Sequence, residues 1–261
     1  MSESPLVYIT GASSGIGQAL AARFAQAGWR LALVARRGEV LREWAHANGL
    51  DGARCGVYEA DVQNVDNITA AGVACVQAQG LPDVVIANAG ISVEVDNAER
   101  ADLDAFRDVL ATNVLGVAAT FQPFIQPMRR RRNGRLVGIA SVAAIRGLPG
   151  HGAYCSSKSA VVAYCESLRG ECRGFGVTVQ TLLPGYIATP LTARNPYRMP
   201  FLMSAQAFAE QAFRAIEAGT SYRVIPWQMA WVARLLRWLP NALFDRLFAR
   251  RQRKPRRADD N

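Results

Sequence analysis

Short runs of aliphatic and β-branched residues alternate with longer stretches of helical period along most of the chain. Residues 6–10, 30–35, 54–60, 83–87, 135–141, 177–183 and 222–225 are predicted strands, and residues 16–27, 39–47, 65–79, 103–131 and 153–174 are predicted helices. This alternation implies right-handed crossovers and a parallel sheet covered on both faces. The expectation is an α/β fold: a doubly wound, seven-stranded parallel sheet of Rossmann type. No internal repeat, Gly/Ser or Pro-rich linker or low-complexity tract interrupts the pattern before a basic tail.

Composition fits this picture, since 261 residues that are 50% hydrophobic can bury one good core. The first strand begins at Leu6, which leaves no room for a secretory signal, so a cytoplasmic location is expected. Cys55, Cys75, Cys155, Cys165 and Cys172 form no C-x-x-C pair and no metal-ligand spacing, so free thiols and no metal are expected. The net charge of +9 is concentrated in two blocks, Arg129 to Arg132 and residues 246–257. The first reads as a solvated helix end, because cations complement the helix dipole there and Asn133-Gly134 follows as a stop. Both blocks lie outside the chemical motifs, and no nucleic-acid partner is expected.

The first strand ends in Thr10-Gly11-Ala12-Ser13-Ser14-Gly15-Ile16-Gly17, directly before a helix. Glycines at such a junction let the backbone turn tightly and approach a pyrophosphate, whose charge the helix N-terminus favours. The second strand ends in Ala35-Arg36-Arg37, where an NAD-selective site would place an acid for the ribose hydroxyls. Two guanidiniums suit a 2′-phosphate instead, which points to NADP(H). An ordinary basic loop is the competing reading of this pair.

In Tyr154-Cys155-Ser156-Ser157-Lys158 the tyrosine and lysine are four apart and share a helix face. A neighbouring ammonium favours the phenolate, so the pair can act as a tunable acid/base. Ser141, at the end of the fifth strand, can hydrogen-bond a carbonyl oxygen on which charge builds. Tyr and Lys at this spacing are common on exposed helices, so the weight comes from context.

In that context the chain resembles the short-chain dehydrogenase/reductase family over roughly its first 190 residues. The glycine turn resembles that family's cofactor turn, Asp61-Val62 its adenine contact, and Asn88-Ala89-Gly90 the motif closing its fourth strand. Asn113, Ser141, Tyr154 and Lys158 match its catalytic residues, and Pro184-Gly185-Tyr186-Ile187-Ala188-Thr189 its nicotinamide-side loop. The resemblance implies that Tyr154 exchanges a proton with the substrate oxygen and Ser141 orients the carbonyl. It further implies that Lys158 lowers the tyrosine pKa and binds the nicotinamide ribose, while Asn113 holds a water linking Lys158 to solvent. From the residues alone, Asn113 reads as a polar residue kinking a buried helix. Cofactor contacts are expected at Thr10, Gly11, Ser13, Ser14, Gly15, Ile16, Gly17, Arg36, Arg37, Asp61, Val62, Asn88, Ala89, Gly90, Tyr154, Lys158, Pro184, Gly185, Ile187 and Thr189.

His151, three before Tyr154, could face the substrate mouth but reads more readily as a solvated loop residue; His46 reads as a surface residue and Cys155 as a packing residue. A single domain is expected over 1–226, with residues 190–219 forming a helical lobe over the substrate. Pro196, Tyr197, Met199, Phe201, Leu202, Met203 and Phe208 give that lobe an apolar character suited to a hydrophobic carbonyl or alcohol. Packing of the lobe onto the domain is the equal alternative.

Residues 227–261 read as amphipathic helices and a basic tail. Trp227, Trp231, Leu235 and Trp238 recur at helical spacing, with Arg234 and Arg237 among them, and Pro240 interrupts. Leu243, Phe244, Leu247 and Phe248 repeat the pattern beside Arg246, Arg250 and Arg251. Tryptophan and arginine on such helices suit peripheral contact with a membrane at its inner face. A partner subunit or the substrate entrance are the competing occupants. A homo-oligomer is expected, through the faces of 103–131 and 153–174. Two rival functions remain, a non-catalytic NADP(H)-binding regulator and an epimerase or dehydratase on the same scaffold.

Overall fold

The computed structural model describes residues 4–248 apart from positions 51 and 194. Seven parallel strands form the central sheet: β1 (Leu6–Thr10), β2 (Arg30–Ala35), β3 (Cys55–Glu59), β4 (Val84–Ala87), β5 (Gly134–Ile139), β6 (Val177–Pro184) and, after a short pair introduced below, β9 (Tyr222–Ile225). Their order is β3-β2-β1-β4-β5-β6-β9. The expected doubly wound sheet is therefore present, with its order reversing between β1 and β4.

Alternation along the strands explains why both faces are covered. On β1, Val7 and Ile9 join a core layer with Leu20 and Phe24 of α1 (Gly15–Gln26), Leu41 of α2 (Gly38–Ala47) and Ile216 of α8 (Ala205–Glu217). Leu6 and Tyr8 face the other layer, with Ile68 of α3 (Val65–Gln79), Phe124 of α5 (Gly116–Arg131) and Val161 of α6 (Gly152–Cys172). A strand buried on both sides needs apolar residues at every position, as β1 has.

The long helix expected over 103–131 divides into α4 (Asp102–Leu110), a π-helical turn at Ala111–Leu115 and α5. The wider turn contains Asn113, so the interruption falls at the predicted polar residue. By length and composition the stretch Asp102–Arg131 could cross a membrane, but half of its most apolar window is buried in the core. The arginine run at its end does more than meet solvent. Arg131 donates to the Leu81 carbonyl at 2.9 Å and the Pro82 carbonyl at 2.6 Å, and Arg129 pairs with Glu171 at 3.5 Å.

The lobe expected over 190–219 is also divided. A short helix, α7 (Pro190–Ala193), follows β7 (Ile187–Ala188), which pairs with β8 (Met203–Ser204). Helix α8 instead packs on α1 as a core-layer helix, burying Phe208, Ala212 and Ile216. The covering role passes to α9 (Gln228–Trp238) and α10 (Asn241–Phe248), whose inner residues line the larger apolar pocket. The remainder of the basic tail beyond Phe248 lies outside the described residues.

At the point of order reversal, Thr10 ties β1 to the end of β4. Its Oγ1 accepts from the Asn88 N–H at 3.1 Å and the Ala89 N–H at 3.2 Å, while Asn88 Nδ2 donates to the Thr10 carbonyl at 3.0 Å. Replacing Thr10 by Val keeps the shape and strands two backbone donors. Thr10→Val should therefore lower the unfolding free energy by about 2 kcal/mol, read from urea midpoints at unchanged m-value.

Candidate functional site

Divergence of the helices at the β1/β4 reversal opens a cleft of about 340 Å³ at the carboxyl ends of the strands, where α/β sheets of this kind take ligands. Its floor is the glycine turn. Gly11 and Gly15 have φ of +66° and +57°, which favour glycine, and a Cβ on Gly11 would come within 2.8 Å of the Ala89 Cα. A side chain at Gly17 would collide with the Gly11 carbonyl. Ser14 occupies the N-cap of α1 without a side-chain capping bond, leaving its hydroxyl and the first-turn amides for an anionic ligand.

Of the residues expected to contact a cofactor, Gly11, Ser13, Ser14, Gly15, Ile16, Arg36, Arg37, Asp61, Val62, Asn88, Ala89, Gly90, Tyr154, Lys158, Pro184, Gly185, Ile187 and Thr189 all line this cleft. Thr10 and Gly17 do not line it; they shape the turn from behind, by the strand tie and by close helix packing. Arg36 and Arg37 are exposed on the rim, with Arg36 Nη1 at 4.0 Å from Asp61 Oδ2. The tight turn, the open helix end and the two rim guanidiniums together fit a dinucleotide. Gln63, Ile91, Thr112 and Thr192 also line the cleft and had no sequence signal of their own. Gln63 is brought in by its hydrogen bond to Thr112, Nε2 to Oγ1 at 2.8 Å.

Tyr154 and Lys158 project from α6 toward the end of β5. The Lys158 ammonium donates to the Ile139 carbonyl at 2.9 Å and lies 5.9 Å from the centre of the Tyr154 ring. Burial pushes the Lys158 pKa down to about 8. Burial also raises the Tyr154 phenol above its ordinary value, and a hydrogen bond with Ser141 opposes part of that rise. Ser141 caps a 3₁₀ turn at Val142–Ala144, its Oγ accepting from the Ala143 N–H at 3.2 Å. That bond occupies an oxygen lone pair and leaves the hydroxyl hydrogen to donate.

Asn113 does not line the cleft. Its side chain lies under it, accepting from the Ile91 N–H at 2.9 Å and donating to the Ile91 carbonyl at 2.9 Å and Ser157 Oγ at 3.0 Å. It thus clamps the segment after β4 to the helix that carries Tyr154. A Cβ placed on Gly90 would stand 3.2 Å from Asn113 Oδ1 and 3.4 Å from Lys158 Nζ, so both groups border the same small space.

A second pocket, of about 560 Å³, meets the first at Ser141, Tyr154, Gly185, Leu191 and Thr192. Its walls are mainly apolar, with Val142 and Ile145 on one side and Met229, Val232 and Leu236 of α9 on another. Of the seven apolar residues expected to shape a substrate lobe, Tyr197 lines this pocket, whereas Phe208 is in the core and Phe201 and Leu202 face solvent. His151 is not solvated. It is buried in the pocket wall, with Nε2 at 3.5 Å from Glu94 Oε1 and 3.4 Å from the Tyr197 hydroxyl. Its place at the substrate side is the lesser of the two sequence readings, because Glu94 and Tyr197 are distant along the chain. His46 is exposed and Cys155 buried, as their sequence positions suggested, and all five cysteines are buried free thiols.

Comparison with known proteins matches residues 5–198 to the family described as short chain dehydrogenase. An uncharacterized oxidoreductase of Myxococcus xanthus is 40% identical over 91% of this chain and 93% of its own length. Estradiol 17-beta-dehydrogenase 1 of Rattus norvegicus is 38% identical over 72% of this chain, a match that spans 55% of that protein. Among solved structures, an alcohol dehydrogenase of Thermococcus sibiricus complexed with 5-hydroxy-NADP superposes with a TM-score of 0.75 at 27% identity, over 85% of this chain and 96% of that one. Other solved neighbours are complexed with NAD or NADH. With the seven-stranded sheet and the paired clefts in place, the chain belongs to the short chain dehydrogenase family and is an oxidoreductase acting on alcohol and carbonyl groups.

Proposed function

We propose that the chain is an NADP(H)-dependent reductase or dehydrogenase for a hydrophobic, lipid-like carbonyl or alcohol, with Tyr154 as its catalytic acid/base. The observation that carries this reading is the placement of Tyr154 and Ser141 where the dinucleotide-shaped cleft meets the apolar pocket. NADP(H), when bound, supplies or accepts the hydride. The glycine turn and the α1 N-terminus would hold its pyrophosphate, Arg36 and Arg37 its 2′-phosphate, Asp61 and Val62 its adenine end, and Lys158 its nicotinamide ribose.

The residues of the chain do the remaining work. Burial keeps Tyr154 a neutral phenol at neutral pH, the form needed to donate a proton to a carbonyl oxygen. With substrate in place, Ser141 donates its hydroxyl hydrogen to the same oxygen and orients it. Asn113 and Lys158 border the space beside Gly90, where a water relaying the spent proton's replacement from solvent would sit. The large, mainly apolar pocket favours a hydrophobic substrate, as does the likeness to a steroid dehydrogenase. The rim arginines favour NADP(H) over NAD(H). The same reading places the protein in the cytoplasm at a membrane face, as a homo-oligomer whose contacts include Leu103 and Leu115, large apolar residues exposed on α4 and the π turn.

A graded series of aldehydes and ketones, from short and polar to long-chain, tests the substrate and the acid/base together. NADPH oxidation should increase with chain length, and Tyr154→Phe should cut kcat/KM by about 10²-fold or more with NADPH affinity retained. Tight NADPH binding without turnover of any substrate would instead make the chain a regulator. Arg36→Asp should lower the ratio of kcat/KM for NADPH to that for NADH by about 10-fold or more, since it removes a charge-assisted bond and adds a repulsion. In the ligand-free protein, Lys158 is depressed to about 8 and would titrate near 10.5 when unfolded, so the unfolded chain holds more protons between these values. The stability of wild type relative to Lys158→Met should therefore rise as pH increases from about 8 towards 10.5, read from denaturant midpoints.

A further inference from the structure

Helix α9 presents two different faces. Met229 and Ala233 are buried, and with Val232 and Leu236 they line the apolar pocket. On the opposite side Trp227, Trp231, Leu235 and Trp238 are 59%, 63%, 67% and 81% exposed. Residues at these offsets fall within about 80° of one another around a helix, so they form one stripe. Arg234 borders that stripe, its guanidinium 5.6 Å from the Trp231 ring centre, while Arg237 turns inward and donates to the Ile145 carbonyl at 3.4 Å.

The orientation of the helix is held by Arg146, on the loop that follows Ser141. Its guanidinium donates to the carbonyls of Leu236 and, at 2.6 Å, Leu239, and to Asn241 Oδ1 at 2.9 Å, and it stacks 3.9 Å above the Phe244 ring. The turn between α9 and α10 is thereby pinned to the pocket wall, and the tryptophan stripe is held outward. Leu247, itself 62% exposed, and Phe248 complete the pocket lining from α10.

We propose that the outward face of α9 and α10 docks in plane onto an anionic lipid bilayer, and that the pocket beneath takes its substrate from that bilayer. The second half rests on the reading of the substrate as lipophilic. Tryptophan combines an apolar body with a polar N–H, which suits the headgroup zone, and a bordering arginine meets lipid phosphates. The charge favours this occupant over a second copy of the chain. A second copy would set one positively charged face, bordered by Arg234, against another, whereas an anionic surface complements it. Six further cations between residues 250 and 257, with no acid among them, add to the attraction. Among the described residues neither helix approaches the roughly 20 residues that spanning takes, and the outward stripe suits a position in the membrane plane.

Flotation of the full chain with phosphatidylglycerol-containing vesicles, against phosphatidylcholine alone, reads docking without any turnover. Wild type should float with the anionic vesicles and be released by high salt. The double variant Trp231→Gln/Trp238→Gln should lose about 10-fold or more in partitioning while keeping wild-type turnover of a short, soluble carbonyl, because both side chains are exposed and outside the pocket. Failure of wild type to float, or equal flotation of the variant, overturns the docking surface. Self-association by light scattering that the variant abolishes, without flotation, overturns it in favour of a second copy. Flotation of wild type with turnover confined to short, soluble carbonyls leaves the docking surface standing and overturns both bilayer delivery and the lipophilic reading.

Discussion

Two buried side chains hold the segment after β4, and the dinucleotide-shaped cleft takes its shape from it. Thr10 grips the segment at Asn88 and Ala89 from the β1 side, and Asn113 grips it at Ile91 from beneath. Parallel strands at a reversal point splay apart, and their terminal amides lose ladder partners there. The two side chains supply those partners within the protein, so the backbone at Ala89 and Gly90 can form the cleft wall. Asn113 also bonds Ser157 on α6, which sets the distance between that wall and Tyr154. The π-helical turn around Asn113 belongs to the same arrangement, since it accommodates a buried polar side chain inside an otherwise apolar helix.

Burial then sets the charge states. It raises the phenol of Tyr154 and lowers the ammonium of Lys158, so each group is pushed towards its neutral form. For the tyrosine this favours the proton donor. For the lysine it produces a group near its midpoint at mildly alkaline pH, held by the Ile139 carbonyl. Such a lysine responds strongly to any anionic ligand in the cleft, which restores the charge that burial removes. Ligand binding and the protonation state of the pair are coupled through this one buried amine.

What could be read from the chain follows from how local each constraint is. The glycine turn, the strand and helix alternation and the Tyr154–Lys158 spacing are dictated within a few residues, by positive φ, by period and by a shared helix face, and all reappear in the fold. Arg36 and Arg37 reach the cleft rim because the end of β2 carries them there. The substrate pocket is different, since its walls come from loops and helices that meet only after folding. His151 looked solvated because its partners, Glu94 and Tyr197, are 57 and 46 residues away. Residues 205–217 looked like part of a lid, yet Phe208, Ala212 and Ile216 found a better apolar partner in α1. Thr10 and Gly17 shape the backbone of the cleft floor from behind, by the strand tie and by close helix packing.

Periodicity identified which positions of α9 share a face but could not say which face turns inward. A surface helix normally turns its largest apolar stripe to the core, because burial of each large side chain removes the most surface from water. In α9 the opposite holds: Met229, Val232, Ala233 and Leu236 face the protein, and Trp231, Trp238 and the N-cap residue Trp227 face outward. The smaller residues leave the pocket open, which bulky indoles on the inner face would fill. Arg146 fixes this choice by bonding the C-terminal carbonyls of the helix, so rotation to bury the tryptophans would break those bonds. The fold therefore trades burial of these indoles for an open pocket, and no described residue covers them.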